Sequence, residues 1–408
     1  MDGFRAPSAT DFTSYASLMG LQGDHLNQLD QWCSGQCANA QGLGEGLLAP
    51  VQPVVPMVAQ YLGDKLQQGT RGMHLVVDKI HRTSADYQRT DQSTAADLRS
   101  LYPAAYGGFP DIGELPGAGA LGDFRDEDVS LTPPQDSASD DTTKAVHEML
   151  MGPFHTAGVR AADHVFQWLT GQSLVDLLMK PLFGDFGRLK YLSEVYDQLG
   201  DGCYTVTGTI RKGSWKLGGE WQGDTATAFD QYLFLWSMGV GGVGDAAKIA
   251  SKAFHDGYDV ICGLVAAALR GIGWMLDTSI KALSDWAAKA LEGDAVIEAV
   301  GLGPEDPFAD IVAGVFTAAV GLYEAYQIVT QIINDIGKIE AIYRAIVEAV
   351  HKIQDDVHKV MAFLSKGLQI PSIGSLIDDV EQRGFEFEKN GFWSPELGAA
   401  RMEMMPSA

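Results

Sequence analysis

The chain has 408 residues, 46% of them apolar, and a formal net charge of −24. At roughly 150 residues per domain, that length suggests two or three units with a genuine core, which excludes a wholly disordered protein. The acidity argues against nucleic acid, whose phosphates call for Lys and Arg, and it disfavours simple attraction to an anionic membrane.

The N-terminal stretch MDGFRAPSATDFTSYASLMG has no basic segment followed by an apolar one, so no Sec-type signal peptide is read there. Alternating β-branched residues occur only weakly, near YTVTGTI (204–210), and helix-compatible patterns dominate. The predicted fold class is therefore all-α.

Residues 1–102 read as an N-terminal helical hairpin. Its turn is expected in GLGEGLLAPVQP (42–53), because glycine holds a helix poorly and Pro50 and Pro53 fit best in a first turn. The second helix is expected to run to about Ser100, with Pro103 ending it. Cys33 and Cys37, in CSGQC, would share one helical face. A helix holds such side chains too far apart to bond to each other, and zinc would need two further ligands, so both read as packing residues.

Residues 103–142 read as a Pro/Gly/acidic linker or a long surface loop. Its core, 103–141, holds five prolines, six glycines and nine acids against one arginine, a composition with little to bury. Residues 143–292 read as a second hairpin. An opening helix is expected over 143–180 and a long helix over 186–217. A Trp221-Gln-Gly223 turn and another long helix follow, and Asp224 or Thr225 could cap the latter. GVGGVG (239–244) suggests a weak point, a close helix crossing or a break. It is a poor phosphate loop, since no strand precedes it and no Lys-Ser/Thr follows.

Residues 293–368 read as a long heptad-patterned helical hairpin. Val329, Ile332, Ile336, Ile339, Tyr343, Ile346, Val350, Ile353, Val357, Val360 and Leu364 alternate three and four apart, which keeps one stripe facing a partner helix. At 1.5 Å per residue that seam spans roughly 50 Å. Its partner could be the upstream segment 307–328, the central helices or another subunit, and Gly337 marks a candidate kink. The tail, 369–408, is too irregular to assign. No apolar run reaches about 18 residues; IVAGVFTAAVGLY (311–323) lies between Asp310 and Glu324 and has buried-helix length.

Of the nine histidines, His351 and His358 stand with Asp355 on one helical face, beside the seam rather than in it, and read as a solvated face. No nucleophile elbow, zinc-protease, Walker or Rossmann pattern occurs. No catalytic residue, metal or cofactor is assigned, and an enzyme is not expected.

Two short patterns remain. In Trp221-Gln-Gly223, the glycine permits a closing turn and the indole could staple it. In YQRTD, Tyr87 and Asp91 stand one helical turn apart on one face. In order, with the acidic linker between them, these patterns resemble the EspB-like secretion-associated proteins of actinobacterial type VII (ESX) secretion, within the wider W-x-G superfamily. The resemblance covers roughly residues 11–290. It implies an elongated four-helix bundle made of two hairpins, PE–PPE-like in one chain, here followed by the long-helix hairpin. It implies that Tyr87 and Asp91 are the secretion signal and that Trp221 and Gly223 are the W-x-G turn. The turn would approach the Tyr/Asp helix end and form a composite surface read by a secretion ATPase or adaptor.

The resulting expectation is a secreted, non-enzymatic type VII substrate. It would act as a structural or interaction protein and self-assemble into a homo-oligomer through the C-terminal seam. The alternative is a helical membrane-active or pore-forming protein, motivated by DVICGLVAAALRGIGWML (259–276) and the 311–323 run.

Overall fold

Every regular element among the described residues is a helix. The structure, a computed structural model, describes residues 7–86, 122–135, 137, 140–292 and 319–363. Tyr87, Asp91, most of the linker, most of the 311–323 run, Leu364 and the 369–408 tail lie outside that set.

Helix α1 (Ala9–Trp32) starts at a capping box. The Ser8 hydroxyl accepts from Asp11 N at 3.1 Å, and the Asp11 carboxylate accepts from Ser8 N at 3.2 Å. Two free amides are satisfied at once, which is worth about 1 kcal/mol. One π-helical turn, Cys33–Cys37, ends the helix. A 3-10 turn, Gly46–Val51, then leads into α2 (Val54–Asp86), where the glycines and prolines of 42–53 placed the turn. The pair is antiparallel: Cys33 Sγ donates to Ala59 O at 3.0 Å, and Gln67 donates to Asp30 at 3.1 Å. Cys33 and Cys37 are buried, unbridged packing residues.

The single helix expected over 143–180 is three. They are α3 (Asp141–Met151), α4 (Ala157–Thr170) and α5 (Leu174–Met179), with 3-10 turns at Pro153–His155 and Lys180–Leu182. Gly152-Pro153 stops the first. Gly171 closes the second in the left-handed region at φ 79°, a conformation that glycine adopts without a Cβ penalty.

Helices α6 (Gly187–Gly218) and α7 (Asp224–Asp277) form the central antiparallel pair. Tyr204 donates to Asp245, and Lys248 donates to Asp197 at 2.7 Å. The GVGGVG stretch is neither a break nor a loop; α7 runs through it. A Cβ on Gly244 would stand 2.8 Å from the Tyr204 ring, so the glycine permits a close crossing. At 54 residues, α7 is about 80 Å long. Helix α1 lies antiparallel on α6. Tyr15 Oη donates to Ile210 O at 3.3 Å and Trp32 Nε1 donates to Val195 O at 2.9 Å.

Beyond the start of α6, the far half of α7 is covered by α8 (Ser279–Glu292) and α9 (Ala319–Phe363). All ten described seam residues, Val329 to Val360, are buried. They pack along α7, where Ile353 backs onto Gly257 and Ile339 onto Gly271. Tyr343 donates to Leu178 O and Gln354 to Pro50 O, tying α9 to the α5 end and to the α1–α2 turn. Of the partners left open for the seam, the central helices are the one that covers the described stripe, so it is not free for the joining of copies expected of it. Gly337 lies inside a continuous helix. His351, Asp355 and His358 are exposed, as a solvated face should be.

Of the two readings of 103–142, the described part is a surface loop rather than a free linker. Its described residues 122–135 are an extended strap laid over α1 and α6. Val129 is buried, and Glu127 meets Lys212 at 3.0 Å with both side chains nearly buried. Asp126 accepts from Gln22 at 2.7 Å. Val129 O accepts from Gln28 at 3.3 Å, while Gln198 both donates to Thr132 O at 2.9 Å and accepts from its N at 2.7 Å. Extended backbone without a sheet needs such side-chain partners, and the flanking helices supply them.

Candidate functional site: the tryptophan turn

Helix α6 ends where Gly219 N and Trp221 N donate back to Trp215 O and Gly218 O. The chain then reverses within a few residues. Gly223, at φ 127° and ψ 176°, is the N-cap of α7, in a region closed to side-chain-bearing residues. Asp224 is consequently the first helical residue rather than the cap, and Thr227 N donates to Gly223 O to start the helix.

Trp221 is only 1% exposed. Its ring meets Phe12 edge-on, with centroids 5.0 Å apart and planes at 83°, and lies 5.4 Å from Phe229. Tyr15 continues the cluster, 6.2 Å from Phe229 and 5.9 Å from Phe124 of the strap. Edge-to-face geometry suits the ring quadrupoles and adds about 0.5–1.5 kcal/mol beyond burial. Four separated segments therefore meet at one aromatic knot. The composition of the turn suggested a staple, and the geometry is that of one. Phe12, Phe124 and Phe229 are not singled out by the sequence: Phe12 and Phe124 lie 209 and 97 positions from Trp221, and nothing local marks them as its neighbours.

Polar groups are buried beside the knot. Arg211 donates through Nε to Ser237 at 3.0 Å, and its guanidinium lies 5.4 Å over the Phe234 ring. Burial lowers its pKa to about 9. Burial, with a contribution from nearby Asp230, holds the Tyr15 phenol well above its ordinary value, and burial alone does the same to Tyr232. Glu220 and Gln222 are half-buried and Asp224 is exposed. The surface that a partner could touch is thus this polar edge, not the indole face.

The α1–α2 register, with Gly23 backing onto Met73 and Cys33 bonded to Ala59, carries Phe12 level with the last turn of α2, Thr83–Asp86. The turn and the described end of α2 therefore share one end of the helices. Tyr87 and Asp91 follow directly in sequence but lie outside the described residues. Elsewhere, a polar cleft of 540 Å³ is lined by Ser137, Asp140, Lys190, Glu194 and Tyr258 among others. Its Tyr258 phenol donates to Asp140 at 2.5 Å. The cleft's carboxylates sit beside one lysine and two phenols, those of Tyr191 and Tyr258. No protein-family model matches the chain, and no curated protein or solved structure matches it either.

Proposed function

We propose that this chain is a non-enzymatic substrate of a type VII secretion system, EspB-like in organisation, that acts after export as an interaction protein. In this reading α1–α2 and α6–α7 are the two hairpins of a PE–PPE-like four-helix bundle. Tyr87 and Asp91 are the export signal, and Trp221 and Gly223 form the turn that braces it. The observation that carries the reading is the 5.0 Å contact between Trp221 and Phe12. It ties the W-x-G turn to the end of the bundle from which the Tyr/Asp segment continues. Because the indole is buried, a secretion ATPase or adaptor would read the polar edge at Gln222 and Asp224 together with Tyr87 and Asp91. Any homo-oligomer would use a surface other than the 329–360 stripe.

The test is export of Tyr87→Ala and Asp91→Ala variants from a host with an ESX system. Each should stay in the cell while its melting temperature matches that of the parent chain. Undiminished export of both would overturn the assignment.

One observation favours a second reading. A window of α7–α8 has a mean hydropathy of 1.6 and is long enough to cross a membrane, yet only 28% of it is buried. Within 259–276, Val260 and Trp274 are the exposed large apolar side chains. A membrane-active role predicts dye leakage from liposomes at some pH, and intact liposomes across the range would remove it.

A further inference from the structure

We propose that His25, Asp126 and Asp128 form a divalent-cation site that clamps the strap onto α1, with Gln22 as its buried outer partner. One donor atom from each of the three lies within 4.8 Å of the others. His25 Nε2 is 3.2 Å from Asp126 Oδ2 and 3.3 Å from Oδ1. Ligands 2.0–2.1 Å from a tetrahedral ion stand about 3.4 Å apart, which the His25–Asp126 spacing already meets, and exposed Asp128, within 4.8 Å, would close on the ion.

A His–Asp hydrogen bond alone would explain those distances. Gln22 is what it leaves unexplained. The side chain is fully buried in α1 and its Nε2 donates to Asp126 Oδ1 at 2.7 Å, the way outer-shell donors hold a metal carboxylate in place. Its Oε1 is buried and accepts no hydrogen bond from the described residues. A buried acceptor left unmade is costly. Three protein ligands leave the fourth tetrahedral position to water, and a water on the cation beside Asp126 is a donor for that oxygen.

The donor set also selects the ion. Two carboxylates and a neutral imidazole carry two negative charges against a dication. One imidazole among oxygens suits Zn²⁺ and its first-row neighbours, whereas Ca²⁺ and Mg²⁺ prefer oxygen throughout. The consequence is structural. His25 lies on α1 and both aspartates lie on the strap, so the ion would join segments about one hundred residues apart in the chain. Export plays no part in this site.

The test uses the full-length protein, stripped with chelator and titrated with Zn²⁺ by calorimetry, then with Co²⁺ followed by visible absorption. One equivalent should bind, and Co²⁺ should give the intense band of a tetrahedral site. His25→Gln and Asp126→Asn should each weaken binding at least tenfold. His255→Gln, which alters the exposed His255–Asp259 pair, should leave it unchanged. Bound Zn²⁺ should also slow tryptic cleavage after Arg125, the exposed arginine of the strap, several-fold. Absent saturable binding, or binding that His25→Gln and Asp126→Asn leave intact, would overturn the site. Should either variant fail to fold by circular dichroism, Asp128→Asn decides: Asp128 is exposed, and unchanged Zn²⁺ affinity there overturns the site equally.

Discussion

Gly257 of α7 and Ile353 of α9 occupy what is almost one space: a Cβ on the glycine would stand 2.2 Å from Ile353 Cδ1 and 2.3 Å from Cγ1. The two helices touch through backbone on one side and a branched side chain on the other. Gly257→Ala should therefore overpack the joint and cost about 1–3 kcal/mol. Ile353→Ala alone should cost about 2–5 kcal/mol by opening a cavity. Together they should cost less than the sum, because the new methyl fills part of the space left by isoleucine. Urea unfolding of the four proteins in that cycle measures the coupling, and strict additivity would mean that α9 does not sit on Gly257.

The tryptophan turn makes a different demand. Trp221→Ala should cost about 3–5 kcal/mol, the usual loss for a buried aromatic. Gly223→Ala should cost about 1–3 kcal/mol through backbone strain alone, since φ 127° is closed to alanine. Thermal unfolding reads both. A Gly223→Ala protein as stable as its parent would show that the turn has another geometry.

Acid should loosen the α9 end through Asp335, which is 1% exposed. Burial on its own would raise the pKa of this carboxyl. Hydrogen bonds from Lys338 at 2.8 Å and Gln331 at 3.1 Å outweigh burial and hold the pKa below the ordinary value. The folded state thus binds the proton less readily than the unfolded chain. That stabilisation is complete above the unfolded value of about 3.9 and is lost as pH falls through the lower folded value. Asp335→Asn should cost about 1–2 kcal/mol at neutral pH and flatten the fall in stability below about pH 4. Equal acid slopes in the two proteins would remove Asp335 as a cause.

The sequence is most legible where the physics is local. The three-four spacing of Val329 to Val360 marks a buried stripe because helix geometry alone puts those side chains on one face. Its partner was not legible, since nothing near residue 353 points to Gly257. The α1–α2 turn followed from glycine and proline chemistry, whereas Gly152-Pro153 and Gly171 carried the same chemistry inside 143–180 and were overrun by a helical pattern. At 239–244 the glycines left a weak point, a close crossing and a break all open, and the packing of Tyr204 against bare backbone at Gly244 selects the close crossing. The strap looked unburiable because composition counts apolar residues, while its hold comes from Gln28, Gln198 and Lys212 on other helices. Of the candidate site, Gly223 was legible as a turn residue. The burial of Trp221 was not, because it depends on Phe12 from the opposite end of the bundle sequence.

The bond from Tyr15 to Ile210 O spans 195 positions, and that from Trp32 to Val195 O spans 163. A ribosome that has completed α2 has therefore made a helix pair with its greasiest side still facing water. That side stays bare for the ten seconds or so needed to synthesise another hundred-odd residues at 5–20 per second. Nascent chains of this protein should accordingly be clients of holding chaperones until α6 emerges, and maturation should be slow for an all-helical protein because its decisive encounters are so distant along the polymer.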